Sequence, residues 1–209
     1  MAHPDLFEAD VGRPEGFLYR TDVIDRATEA ALAARLAELD FKPFDFRGYL
    51  ANRKVLGFGL RYDYSSRQVQ PAPPIPDWLL DLRAAAAAFA ERPAEAFVQV
   101  LINEYKPGAG VGWHKDKPHF DEVIGVSLLA PCVLRFRRSA GETWERHSLR
   151  LQPGSAYLLT GPSRTDWEHS VPPVIEHRYS ITFRSLRARR TSRAGTEKMF
   201  CGKGAPAER

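Results

Sequence analysis

The sequence has 209 residues, of which 44% are hydrophobic and 27% are charged, and a chain of this size builds a single core. Its two cysteines are too few for a disulfide scaffold, and the sequence shows neither a signal peptide nor an apolar run long enough to span a bilayer. The formal net charge is +4, and seven basic against two acidic residues in the tail 185–209 account for the excess.

From these bounds we expect one domain over residues 1–209 that is monomeric, cytoplasmic and not bound to a membrane. The basic tail at 185–209 has two readings that the sequence leaves open. It contacts phosphate groups, or it is a solubilising, disordered end.

Two helices are predicted in the first half of the chain. Residues 25–39 repeat Ala and Leu at three- and four-residue spacing among strong helix formers. Residues 77–92 lie between Pro76 and Pro93, which punctuate the start and the end of a helix. The aromatic and irregular stretch 43–76 indicates strands and loops rather than a linker to a second domain.

Short strands are predicted from Phe97 onward, separated by Gly, Pro and charged turns. The predicted segments are 97–105, 123–130, 132–138, 146–151, 155–160 and 178–184. No segment of helix length separates them, which disfavours a parallel α/β sheet and favours antiparallel strands forming a jelly roll or barrel. The predicted class is α+β with a mainly β core and with the N-terminal helices packed on it.

A candidate metal site begins at His114 and Asp116. Residues two apart on an extended segment point the same way, so the imidazole and the carboxylate can face one point. His169, which lies 53 residues after Asp116 and just ahead of the last strand, is the candidate third ligand. Two His and one carboxylate leave three positions open, as in the non-haem Fe(II) oxygenases. The alternative is a polar loop with a solvated Asp.

The last predicted strand carries two arginines on one face. A period of two places four polar residues together, opposite Tyr179, Ile181 and Phe183; they are Arg178, Ser180, Thr182 and Arg184. One interpretation is that this polar face meets water. The other is that it lines the barrel, where two guanidinium groups require an anion, and a dicarboxylate is a good candidate.

The predicted strand at 97–105 also carries hydrogen-bond donors on one face. Asn103 and Tyr105 share one face of the segment 97–105, opposite Val98, Val100 and Ile102. Both side chains can donate to an anion, and the alternative is that they are satisfied core residues.

The sequence resembles the AlkB-like Fe(II)/2-oxoglutarate dioxygenases, because it carries that family's motifs in the same order along the chain. The matching elements, all between Phe97 and Arg184, are Asn103-x-Tyr105-x-Pro107-Gly108, His114-x-Asp116, His169 and Arg178-x-Ser180-x-Thr182-Phe183-Arg184. A softer similarity covers Phe58 to Leu82. Four motifs in order are far more specific than any one of them.

The resemblance implies a double-stranded β-helix with a catalytic core at 97–184, and the cofactors Fe(II), 2-oxoglutarate and O2. It implies that the iron ligands, and so the catalytic residues, are His114, Asp116 and His169. The implied contacts of 2-oxoglutarate are Arg178 and Tyr105 at its far carboxylate, and Arg184 and Asn103 at the end near the metal.

The implied activity is the oxidative removal of alkyl groups from the bases of DNA or RNA, as in alkylation repair, with release of an aldehyde, succinate and CO2. The implied partner is therefore alkylated nucleic acid. Two alternatives stay open: a 2-oxoglutarate oxygenase for a protein or small-molecule substrate, and a non-catalytic jelly-roll module in which the motif is a relic.

The resemblance further implies a substrate lid at 43–76, in which Arg61, Tyr62 and Tyr64 stack a base. The alternative is that the tyrosines are ordinary strand residues. The chain also departs from the family. Lys117-Pro118 follow the metal motif where some relatives have an acidic residue, although Asp121 and Glu122 come soon after, and Ser180 stands where some relatives have Asn. The base contact cannot be carried over.

The remaining histidines and cysteines are expected to be structural. His119 is expected in a loop, while His3, His147 and His177 are expected at the surface. Cys132, at the start of an apolar strand, is expected to be buried and inert, and Cys201 in the tail is expected to be exposed.

Overall fold

The computed structural model describes residues 13–187 except for 47–48 and 64–65. Four predictions lie outside these residues: the lid residue Tyr64, the surface position of His3, the exposure of Cys201 and the tail from 188 onward. Cys132 is buried, as expected.

Two helices form where the sequence predicts them. Helix α1 spans Arg26–Ala37, and its first turn is capped by Asp25, whose Oδ1 accepts the Thr28 N–H at 2.7 Å. A 3₁₀ turn at Asp77–Leu79 leads into helix α2, Leu80–Phe89. A further 3₁₀ turn covers Ala94–Ala96, and the short helix α3 covers Gly161–Thr165. Within the described ranges no helix has the length and apolar character that crossing a membrane requires.

The described part of the chain contains thirteen strands. Their bounds are β1 Phe17–Arg20, β2 Lys42–Phe46, β3 Tyr49–Phe58, β4 Leu60–Asp63, β5 Gln68–Pro71, β6 Phe97–Tyr105, β7 Val111–His114, β8 Phe120–Leu128, β9 Cys132–Ala140, β10 Thr143–Leu151, β11 Ala156–Leu159, β12 Glu168–Val171 and β13 Arg178–Leu186. The six predicted strands correspond to β6, β8, β9, β10, β11 and β13.

Two antiparallel sheets face each other. The major sheet has seven strands in the order β1-β11-β8-β13-β6-β3-β2, and the minor sheet has four in the order β10-β9-β12-β7. Strands β4 and β5 form a separate hairpin. Chain neighbours such as β7 and β8 lie in different sheets, which is the winding of a jelly roll. The predicted fold class is confirmed.

The major sheet is covered on both sides. One hydrophobic cluster joins α1 and α2 to its outer face, with Leu36 and Leu79 fully buried. The other fills the space between the sheets, where Phe136 of β9 is fully buried. Consequently the side chains of β13 are buried on both faces from Arg178 to Ser185. The interpretation that its polar face meets water is wrong, because Arg178 is 2% and Arg184 8% exposed.

Much of the stretch 43–76, which the sequence predicts as a substrate lid, belongs to the major sheet. Strands β2 and β3 extend the major sheet, and β3 pairs with β6 from Lys54 opposite Glu104 to Phe58 opposite Val100. Only the β4–β5 hairpin stands apart from both sheets. The pairing therefore divides this stretch into strands of the major sheet and a separate hairpin, and the lid stays a prediction.

Candidate active site

Two short strands of the minor sheet bring the predicted histidines together. His114 ends β7 and His169 lies in β12, and the antiparallel register sets the two residues directly opposite each other. Their ring centroids are 4.3 Å apart. Neither strand is predicted from the sequence, because β7 and β12 have only four residues each, too few for an alternating pattern to be recognised.

Asp116 completes a cluster of three ligand-type side chains. It follows β7 in the loop before β8, and its Oδ2 lies 3.7 Å from His169 Nε2. One ligand atom from each of His114, Asp116 and His169 lies within 4.8 Å of the others, close enough for one metal ion to contact all three. The structure therefore brings together the three residues that the sequence predicts as iron ligands.

Charge states in the cluster suit a divalent cation. Burial raises the pKa of Asp116, but the Arg184 guanidinium and then His169 and His114 outweigh it and hold this pKa well below its usual range. The pKa of His169 is lowered to about 3, first by burial and then by His114. At neutral pH the carboxylate is ionised and the imidazole neutral, which are the forms that bind metal.

Backbone and side-chain contacts fix the orientation of the ligands. His114 Nδ1 lies 2.9 Å from the Gly112 carbonyl oxygen, which can only accept, so Nδ1 donates and Nε2 is the ring nitrogen left to contact a metal. Arg184 Nη2 donates to Asp116 Oδ1 at 3.3 Å, and its Nη1 donates to Gln99 Oε1 at 3.2 Å. Arg184 thus holds the Asp116 carboxylate through its Oδ1 atom.

Arg178 is a buried cation without a carboxylate partner in the described part of the chain. Its Nη2 donates to Ser127 Oγ at 3.0 Å, and its guanidinium carbon lies 4.8 Å from the centroid of the Tyr105 ring. Its Nε is buried and has no hydrogen-bond acceptor. A buried guanidinium with an unsatisfied donor is a site for an anion.

Asn103 and Tyr105 line the same cavity as the three metal-ligand candidates. Asn103 Oδ1 accepts a hydrogen bond from Arg53 Nε at 3.2 Å, so its amide nitrogen remains as the donor. Burial raises the pKa of Tyr105, although Arg178 acts in the opposite direction, and the hydroxyl remains a donor at neutral pH. Both side chains lie where the sequence analysis expects donors for an anion.

Tyr157 of β11 also lines the cavity, although the sequence does not predict it as a site residue. It is 9% exposed, and burial, followed by the charge of Asp116, raises its pKa far above the usual value. The sequence around it reads as an ordinary strand. A signal lies in its cross-strand partner, Gly125 of β8, since glycine inside a strand marks a close approach.

We expect Gly125→Ala to lower the free energy of unfolding by about 1–3 kcal/mol, the cost of overpacking a core. A Cβ at Gly125 would lie 2.3 Å from Cζ of the buried Tyr157 ring. The matched control is Gly57→Ala in β3, where the nearest atom is the Val100 carbonyl oxygen at 3.7 Å. Urea denaturation should show the loss for Gly125 alone; equal shifts for both variants would contradict it.

A single cavity of about 930 Å³ contains the cluster and extends to the β4–β5 hairpin. Arg61 and Tyr62 of β4 both line it. The Tyr62 ring lies 5.3 Å from the ring of His119, and Lys117 Nζ lies 5.0 Å from the Tyr62 centroid. The hairpin therefore contacts the loop that carries Asp116.

The acidic residues that follow the metal motif are engaged elsewhere. Glu122 pairs with Arg92 at 2.9 Å, and Asp121 lies 3.7 Å from Arg187. His119 is exposed in the loop, as expected. His177 is also exposed, although its Nε2 lies 3.2 Å from Glu104 Oε1.

Residues 42–192 match the family model of the 2OG-Fe(II) oxygenase superfamily. Among curated proteins, the chain is 28% identical over 168 residues to the Mus musculus tRNA (carboxymethyluridine(34)-5-O)-methyltransferase ALKBH8, covering 77% of this chain and 24% of that protein. It is 30% identical over 142 residues to the Mus musculus DNA oxidative demethylase ALKBH2, covering 61% of this chain and 58% of that protein.

The chain thus spans about a quarter of ALKBH8 and somewhat over half of ALKBH2. Among solved structures, OsALKBH1 superposes with a TM-score of 0.63 at 19% identity, over 83% of this chain and 99% of that one. A Pseudomonas putida prolyl-4-hydroxylase superposes with a TM-score of 0.57 at 16% identity, over 82% and 93%. At these identities the superpositions support the fold alone.

Proposed function

The chain belongs to the 2OG-Fe(II) oxygenase superfamily as an AlkB-like dioxygenase, and from this premise we propose that it removes alkyl groups from nucleic acid bases by oxidation. The overall reaction consumes one O2 and one 2-oxoglutarate for each alkyl group. One oxygen atom enters succinate as CO2 leaves, and the other hydroxylates the N-bound carbon. That carbon then departs as an aldehyde and leaves the base with an N–H.

One observation carries the proposal: the three metal-ligand candidates and the hairpin residues Arg61 and Tyr62 line one cavity. Its volume of about 930 Å³ lies within the range of small-molecule sites. An aromatic ring and a guanidinium at the entrance are the groups on which an unstacked base lies in single-strand recognition. The relatives named for DNA demethylation and tRNA modification support the same substrate class.

Fe(II) is the metal that we assign to His114, Asp116 and His169. The superfamily uses Fe(II), 2-oxoglutarate and O2, and two imidazoles with one carboxylate match the ligand set of non-haem Fe(II) oxygenases. Bound iron supplies the activation of O2, and the protein supplies orientation. Gly112 orients the ring of His114, and Arg184 holds Asp116 Oδ1, so these two side chains would be held in one orientation toward a bound metal.

2-Oxoglutarate is the anion that we assign to the buried arginines. Arg178, with its unsatisfied Nε, pairs with the far carboxylate, and the Tyr105 hydroxyl donates to the same group. Arg184 and the amide nitrogen of Asn103 support the carboxylate and keto end beside the iron ligands. Burial of all four side chains excludes water and strengthens these charge-assisted hydrogen bonds.

The base itself is recognised by the hairpin in this proposal. Arg61 and Tyr62 line the cavity, and Lys117 and His119 contact Tyr62 from the loop that carries Asp116. Glu122 and Asp121 are paired with arginines. The acidic base contact of some relatives therefore has no counterpart here, and stacking carries more of the recognition.

Mass spectrometry of single-stranded oligonucleotides with 1-methyladenine or 3-methylcytosine tests the proposal. The oligonucleotides are incubated with the protein, Fe(II), 2-oxoglutarate and air. We expect loss of the methyl group with the wild type and none with His114→Ala. Tyr62→Ala should slow demethylation and leave succinate formation without oligonucleotide unchanged. Succinate formation with fully methylated oligonucleotide would reject the nucleic acid substrate, while absence of both products would reject the catalytic assignment.

Arg164 is expected to position the metal ligands from outside the cluster. This residue of α3 is 4% exposed and donates to the carbonyl oxygens of Asp116 at 3.2 Å and Phe120 at 3.1 Å, with a third bond to Lys117. It thereby holds the loop that carries Asp116. Arg164→Met should weaken the binding of metal by about 10–100-fold, as removal of such supporting contacts does.

Calorimetric titration with Mn(II), which replaces Fe(II) without oxidation in air, measures this loss. The control is Arg138→Met, because Arg138 packs 4.8 Å from the Trp167 ring and pairs with Glu145 without contacting the loop. Equal affinities of the two variants for Mn(II) would contradict the positioning role.

A further inference from the structure

The outer face of the minor sheet concentrates arginine. Side chains alternate along β9 and β10, so that Phe136 and His147 point inward while their neighbours point outward. We define the arginine face by the outward aromatic and charged side chains of the whole minor sheet, including those of β7 and β12: Trp113, Arg135, Arg137, Trp144, Arg146, Arg150 and Glu168. It carries four guanidinium groups and one carboxylate, although residues 1–184 as a whole contain 23 basic and 24 acidic residues.

This clustering of like charge is unfavourable for the isolated protein. Arg137 stands directly opposite Arg146 in the pairing of β9 with β10, and like charges at such positions destabilise a sheet. Arg137 pairs with Glu168 at 2.6 Å. Arg146 and Arg150 are exposed and form no ion pair with any described residue. An anionic ligand would offset the repulsion.

Aromatic rings hold the central guanidinium in place. The Arg137 guanidinium carbon lies 4.6 Å from the Trp113 centroid and 4.3 Å from the Trp144 centroid. Arg135 lies 5.0 Å from Trp113, and its Nε donates to the buried Ser170 Oγ at 3.1 Å. Trp144 remains 41% exposed. Arginines interleaved with exposed tryptophan form the stacking and charge platform that binds single-stranded nucleic acids.

The arginine face is continuous with the active-site cavity. Trp113 and Arg135 both line the cavity, and Trp113 directly precedes His114 in β7. From β7 the face crosses β12 and β9 to β10, which is about 14 Å at the ordinary strand spacing. A strand with one nucleotide in the cavity would therefore find arginine beside the entrance and along the path away from it.

We propose that the arginine face binds the sugar-phosphate backbone of single-stranded nucleic acid, on one flank of the nucleotide that enters the cavity. This inference rests on the proposed function and adds a second contact region to it. Arg135 and Arg137 bind phosphate close to the cavity, and Arg146 and Arg150 bind it farther along the strand. These contacts select a polyanion and not a base sequence.

Fluorescence anisotropy with a fluorescein-labelled 15-nucleotide thymidine strand tests the proposal over a range of salt concentrations. For Arg146→Ala/Arg150→Ala we expect weaker binding, and a slope of log K against log [salt] that is smaller by about 1.4, because single strands give about 0.7 for each lost phosphate contact. The control is Arg26→Ala/Arg35→Ala, which removes two exposed arginines from α1, on the other side of the major sheet.

Demethylation of a methylated oligonucleotide by the same variants separates this inference from the proposed function. The arginine-face variant should raise the KM for the oligonucleotide and leave kcat unchanged. A slope equal to that of the wild type, with demethylation intact, would overturn the arginine face alone. A reduced slope without any demethylation would overturn the proposed function alone. If poly-glutamate binds to the face and the thymidine strand does not, the inference is overturned in favour of an acidic protein partner.

Discussion

Replacing Asp116 with alanine is expected to abolish both metal binding and succinate formation. The variant loses one of three ligand atoms that lie within 4.8 Å of one another, and it loses the only carboxylate among them. The two histidines then face a divalent cation without a compensating charge, while the Arg184 guanidinium stays in place beside them. The affinity for metal should fall by more than the roughly 10–100-fold that loss of a supporting contact costs.

Titration with Mn(II) and quantification of succinate measure the two losses independently of the substrate. Asp121→Ala is the matched control, because this exposed aspartate lies five residues farther along the chain, at the start of β8, and makes a surface ion pair with Arg187 at 3.7 Å. It should bind Mn(II) like the wild type, since such surface pairs contribute little. Retention of wild-type Mn(II) affinity in Asp116→Ala would show that the metal is held elsewhere.

Arg178→Met is expected to change ligand affinity and stability in opposite directions. The affinity for 2-oxoglutarate should fall by about 2–5 kcal/mol, or about 30- to 4,000-fold, because a buried charge pair loses one partner. Without 2-oxoglutarate, however, the variant should be as stable as the wild type or more stable, by up to about 3 kcal/mol. It replaces a buried guanidinium with an unsatisfied Nε by an apolar side chain of similar length.

Thermal unfolding with and without 2-oxoglutarate measures both effects, with Arg92→Met for comparison. Arg92 pairs with Glu122, whose side chain is largely buried, so its removal strands a carboxylate and should lower stability without changing the affinity for 2-oxoglutarate. A large loss of stability in Arg178→Met without ligand would mean that Arg178 has a structural role and is already satisfied in the apo protein.

The residues of the candidate site were easier to predict from this sequence than the short strands that carry them. The spacing of His114, Asp116 and His169 and the period of two in β13 identified the residues that the fold brings together. The strands that carry the two histidines were not predicted, because a four-residue strand with polar or glycine positions has no periodicity to detect. These strands form through pairing with β9 and with each other, which is tertiary information.

Other features of the structure depend on which residues of separate strands pair with each other. Tyr157 gives no signal of its own, and its place in the cavity depends on Gly125 in another strand. The composition of the chain does not reveal the arginine face, because residues 1–184 are nearly neutral. Its four arginines come together only through the pairing of β9 with β10. The stretch 43–76 was predicted as a lid, and the division between sheet and hairpin follows from the pairing of β3 with β6.

The position of β7 gives the metal a mechanical role. This strand forms one edge of the minor sheet and, among the described strands, pairs only with β12, and an open strand edge is where a second chain can add. Because His114 and His169 stand opposite each other across this pair, a metal that binds both links the edge strand to its neighbour. Loss of the metal would remove this link and leave the edge strand held by its backbone pairing with β12 alone.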